Sequence, residues 1–98
     1  MNNRFHTLDL AFAFQRACAS VKARAYVRDQ LERASLSIVL NLTEGEAKPT
    51  LKDKKRFYAM AYGSIRECQA ILRVLGNQPL FEQADKLGAF TWKLLKSA

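Results

Sequence analysis

Residues 27–44 read VRDQLERASLSIVLNLTE, and this stretch decides the fold. Val27, Leu31, Ala34, Ile38 and Leu42 recur at steps of three and four residues, which places them on one face of an α-helix. Leu36, Val39 and Leu40 form a second apolar face. A helix that is apolar on more than one side is buried on more than one side. In a chain this small, the second face is expected against another subunit. Gly45 is the expected C-terminal stop of this helix.

The neighbouring segments follow the same period. Pro49 closes a connection, and Thr50-Leu51-Lys52-Asp53 reads as a capping box that starts the next helix. There, Phe57, Ala61, Ser64, Cys68, Leu72 and Leu75 line one face, with Tyr58, Tyr62 and Ile65 beside it. Gly76-Asn77 ends that helix, and Pro79 suits the first turn of another. Leu80, Ala84, Leu87, Thr91 and Leu94 mark this last helix, broadened by Phe81, Phe90, Trp92 and Leu95. Upstream, a helix is expected after Thr7 as N-cap, with Asp9 in its first turn. Leu10, Phe14, Ala17 and Val21 share one face of it, widened by Leu8, Phe12 and Ala19. No Gly or Pro separates it from the central helix. The cluster Lys22, Arg24 and Arg28 interrupts the apolar stripe and argues for a break; one continuous long helix is the alternative. The expected fold is all-α: an antiparallel up-down four-helix bundle, a single domain over 1–98.

Composition bounds the function. The 98 residues amount to one domain, 49% of them apolar. Lys and Arg number 16 against 9 acidic residues, for a net charge of +7. Such an imbalance points to an anionic partner, nucleic acid first. Cys18 and Cys68 sit inside apolar helical patterns with no CxxC, and read as buried thiols in a reducing compartment, the cytoplasm. The N-terminal apolar stretch is interrupted by Asp9, Gln15 and Arg16 and makes no export signal. No run is long enough to span a membrane. Asn41-Leu42-Thr43 matches a glycosylation sequon, read as chance in a helical, unexported setting.

The chemistry of catalysis is missing from the side chains. His6 is the single histidine, with no metal-ligand spacing around it. There is no nucleophile beside a base, no phosphate-cradling glycine loop, and no Glu-x-x-His pair of the kind di-iron bundles use. No catalytic residue, metal site or cofactor is expected. Ser37, Asn41 and Glu44 lie along one line of the central helix, and Gly63 and Ser64 on the next helix are small enough for close approach. A hydrogen-bonded pair of Asn41 and Glu67 would fix register there. A small-molecule or proton site on Glu44 and Glu67 is the functional alternative. Lys48, Lys52, Lys54, Lys55 and Arg56 crowd a helix N-terminus, where positive charge opposes the dipole. Phosphate binding would account for them, with Arg24, Arg28 and Arg33, beside Lys22, as a second group. The bland reading is a solvated lysine-rich turn. No RNA-binding motif promises base-specific readout.

The segment Gln30 to Gly45, QLERASLSIVLNLTEG, resembles the hallmark of the four-helix bundle proteins encoded in 23S ribosomal RNA intervening sequences. Phe57 to Glu67, FYAMAYGSIRE, is similar to their second block. Thr43 stands where the pattern usually has Ala, and Val39 where Pro is frequent. The family includes the accessory variability determinants of diversity-generating retroelements. That branch implies a basic homopentamer binding a reverse transcriptase and its template RNA. The first expectation is therefore a non-enzymatic, oligomeric nucleic-acid-binding accessory protein. RNA or DNA phosphates would meet Lys52, Lys54, Lys55, Arg56, Arg24 and Arg28, while Leu36, Val39 and Leu40 would form the subunit interface. The alternative is a structural or protein-interaction bundle with no nucleic-acid role.

Overall fold

The computed structural model describes residues 3–97. Among these are four helices: α1 (Asn3–Ala19), α2 (Ala25–Ala47), α3 (Leu51–Leu75) and α4 (Gln78–Lys96). Each packs on two others in a ring, α1 on α2, α2 on α3, α3 on α4 and α4 on α1, giving a body of 40 × 21 × 18 Å. Across α2 and α3 the meeting positions are Arg33 with Glu67, Ser37 with Ser64 and Gly45 with Tyr58. Numbers rise on one helix as they fall on the other, so this pair is antiparallel. Gln69 with Asp85, Ile65 with Gly88 and Tyr62 with Trp92 show the same for α3 and α4.

Every helix contributes to one core. Phe14, Leu31, Ile38, Ile65, Leu72 and Leu87 are its largest fully buried apolar side chains, and burying each contributes roughly 1.5–3 kcal/mol. The stripes expected for α2 and α4 are those buried, apart from Val27, which is half-buried. In α1 the buried line is Thr7, Ala11, Phe14 and Cys18, with Leu10 and Ala17 at its flank, while Phe12 faces solvent.

Helix ends follow local chemistry, with two departures from expectation. Thr7 is no N-cap: α1 begins at Asn3, and Thr7 is fully buried in its interior. Packing has overridden its capping propensity, and Asp9 lies beyond the first turn. Gly45 does not stop α2 either. The helix continues to Ala47 and ends at Lys48, whose extended backbone (φ −73°, ψ 140°) is what a following proline imposes. The break between α1 and α2 is real. Ser20 and Val21 donate their backbone N–H groups to Ala17 and Cys18, ending α1 without glycine. Val21 then packs against the core.

Thr50 and Gly76 act as read, and Asn77, read only as part of the end of α3, also caps α4. Thr50 Oγ1 accepts from the Asp53 N–H at 3.2 Å. Gly76 takes φ 70°, a left-handed conformation that glycine adopts without strain. Asn77 Oδ1 caps α4 at the Leu80 N–H, with Pro79 in the first turn.

Candidate nucleic-acid interface

The end of α2 and the start of α3 carry the lysine-rich cluster. Lys54 is committed structurally: its Nζ donates to Glu46 O at 2.8 Å and to Gly45 O at 3.4 Å. It thus satisfies the Glu46 carbonyl at the end of α2 and shares the Gly45 carbonyl with the Lys48 N–H. Lys48 lies 3.4 Å from Glu44 and 5.0 Å over the Phe57 ring, and the Arg56 guanidinium lies 4.8 Å over the same ring. Among the described residues, no hydrogen bond or ion pair engages Lys52 or Lys55. The cluster therefore divides into a capping lysine, ring-stacked cations and two free cations. Lys54→Glu should lower stability by about 1–2 kcal/mol, because a carboxylate would face these carbonyls. Chemical denaturation of this variant beside Lys52→Glu, expected within about 0.5 kcal/mol of the parent, checks the division.

Arg24 and Arg28 do not join this cluster. Arg24 occupies the N-cap position of α2 without a side-chain cap bond, and Arg28 Nε lies 4.0 Å from Asp29 Oδ1. With α2 rising about 1.5 Å per residue, Arg24 is roughly 30 Å from the Lys54 end. The six expected contacts thus form two basic regions at opposite ends of the bundle. Beside Arg24 and Arg28 lies the end of α3, since Tyr26, Val27 and Gln30 line one hollow with Ile71 and Val74. Arg73, near this end of α3, and Arg66, about 10 Å further along α3 towards the middle of the bundle, were missed by sequence reasoning. Their signal was their seven-residue spacing on one helix face.

The α2–α3 interface is polar along one line, with other pairings than expected. Asn41 and Glu67 do not meet. Asn41 Nδ2 donates to Ser37 O at 3.0 Å and to Ser37 Oγ at 3.1 Å, and Ser37 Oγ meets Ser64 Oγ at 2.9 Å. Glu67 instead pairs with Arg33, which also donates to Gln30. The antiparallel register places Glu67 opposite Arg33, eight residues or about 12 Å along α2 from Asn41. Glu44 pairs with Lys48, still further from Glu67, so no shared site of the two carboxylates exists. Close approach falls to Gly45 and not to Gly63. A Cβ on Gly45 would lie 2.7 Å from Tyr58 Cε1, whereas one on Gly63 would meet nothing within 4 Å. Of the expected interface residues, Leu36 and Leu40 are 46% and 55% exposed, while Val39 is only 5% exposed. Val39 belongs to the core of its own chain, because it shares the inward side of α2 with Leu31, Ile38 and Leu42.

Cys18 and Cys68 are free and buried. Burial pushes the Cys18 thiol up to about 12, opposed in part by a hydrogen bond with Ser35. Burial also pushes the Cys68 thiol up, helped by Cys18 and Glu67 and opposed by Arg33. The folded state thus holds protons that an unfolded thiol releases above about pH 9. The unfolded chain then binds fewer protons, so stability falls as pH rises from about 9 towards 12. The loss is on the order of 1 kcal/mol per pH unit per thiol. Urea midpoints across this window should fall, and the fall should shrink in Cys18→Ala/Cys68→Ala.

Among the described residues, no group of three or more His, Cys, Asp and Glu is placed to hold a metal ion. No helix is long and apolar enough to cross a membrane. The class these features define is an all-α four-helix bundle protein with a basic surface. The chain belongs to the 23S rRNA-intervening sequence protein family, whose model matches residues 6–89. No curated protein and no solved structure matches it.

Proposed function

We propose that this chain is a non-enzymatic, oligomeric accessory protein that binds RNA through phosphate contacts, in an antiparallel up-down-up-down bundle. The observation that carries the reading is the excess of seven positive charges, several of them uncommitted. Lys52, Lys55, Arg24 and Arg73 have no carboxylate partner among the described residues. A fold gains little from cations left without counter-charges, whereas a phosphate backbone gives each one. Oligomerisation is supported by Leu36 and Leu40, two apolar side chains one turn apart that are left open on α2. The resemblance to retroelement accessory determinants extends the proposal to a reverse transcriptase as protein partner and a homopentamer as the assembly.

Gel-shift assays with a structured RNA at low salt test the binding, and retention of the RNA is the expected result. An absence of retention, together with salt-insensitive capture of a protein partner, would replace this reading with that of a protein-interaction bundle. Light scattering should give a mass several-fold above the 11.1 kDa chain. Leu36→Glu/Leu40→Glu should reduce it to that of one chain, because buried unpaired carboxylates oppose association.

A further inference from the structure

A groove of about 230 Å³ runs between α3 and α4, lined by Arg66, Gln69, Ala70, Arg73 and Phe81. We infer that this groove holds one unstacked base of a single-stranded RNA, with the flanking phosphates on Arg66 and Arg73 and the ring against Phe81. The inference rests on the RNA-binding reading and assigns it a site between α3 and α4.

Both arginines are exposed, and no carboxylate pairs with either among the described residues. Arg66 Nη1 donates to Gln69 Oε1 at 3.3 Å, and Gln69 Nε2 donates to Asp85 Oδ1 at 3.4 Å. The buried Gln69 thus links Arg66 to the α4 side of the groove and engages the neighbouring carboxylate. Arg66 and Arg73 lie seven residues apart, about 10 Å along the helix, so they suit two phosphates better than one. Between them Ala70 leaves the floor low. Phe81 packs on the core while still lining the groove, and so offers a fixed apolar surface.

The dimensions and chemistry select the ligand. Pockets for whole small molecules run from about 300 Å³ upward, so this groove suits a single ring system that belongs to something longer. An inorganic anion would leave Phe81 unused. A duplex would keep its bases stacked and out of reach. A single strand supplies both a free ring for the aromatic surface and phosphates for guanidinium groups.

The test is fluorescence anisotropy of a labelled single-stranded oligouridine, against the parent, Arg66→Ala/Arg73→Ala, Phe81→Leu and Lys52→Glu/Lys55→Glu. Leucine keeps the core contact of Phe81 without the ring, and circular dichroism confirms that each variant is folded. Phe81→Leu should weaken binding at least about fivefold. The arginine pair should weaken it further and lower the salt slope by about 1.4. Unchanged affinity and slope in both groove variants, with loss in Lys52→Glu/Lys55→Glu, would overturn the groove while leaving the RNA reading intact. An absence of binding by the parent to this probe and to structured RNA alike, even at low salt, would overturn both.

Discussion

Replacing Gly45 with valine should destabilise the bundle by about 3 kcal/mol, while alanine at the nearby Gly63 should stabilise it by about 1 kcal/mol. Both glycines lie inside helices, where alanine ordinarily improves stability by removing backbone freedom from the unfolded chain. The environment decides the sign. A Cβ at Gly45 would lie 2.7 and 2.9 Å from two Tyr58 ring carbons and 3.2 Å from Phe57 Cβ. Tyr58 is 3% exposed and held in the core, so its ring has little room to retreat. Valine adds two further methyl groups to that collision. Gly45→Ala should cost about 1 kcal/mol net, its propensity gain outweighed by the contact. In a Tyr58→Leu background the cost of Gly45→Val should shrink, since neighbours that share a contact are not additive. Chemical denaturation checks all four variants. Stabilisation by Gly45→Ala would show that α2 and α3 do not approach each other as described.

Lys52→Glu/Lys55→Glu should weaken RNA binding by roughly a hundredfold at low salt, without a matching loss of stability. Each reversal removes a phosphate contact and places a repelling carboxylate there. Neither lysine caps a helix or covers a ring, unlike Lys54, Lys48 and Arg56. The effect should fade at high salt, because the lost interactions are screened. Filter binding at two salt concentrations, beside denaturation curves, separates this outcome from unfolding. Equal RNA affinity in variant and parent would remove this end of the bundle from the interface.

Much of the fold was legible in the sequence because apolar spacing and end signals agree. The stripe Leu31, Ala34, Ile38 and Leu42, the Thr50 cap and the Gly76 stop all answer to local rules. Gly45 was misread because a glycine near a helix end carries two meanings, and only tertiary packing distinguishes a left-handed stop from a close approach. Thr7 was misread for a similar reason: its capping propensity yields to burial when residues before it extend the helix. The candidate site was less legible. Charge reads directly from composition, but which cations are already in use does not. The carbonyls that Lys54 caps lie eight and nine residues back along the chain, across a turn. The distance between Arg24 and the lysine cluster follows from helix direction. The pairing of Glu67 with Arg33 follows from register, which sequence spacing on either helix alone cannot supply.

The central claim is that the positive charge is a phosphate-contacting surface, and its most direct test is the affinity of the purified protein for a structured RNA across a salt series. Log affinity should fall linearly with log salt, with a slope of about −3 or steeper, the sum of several phosphate contacts. A flat dependence, or no binding even at the lowest salt, would contradict it.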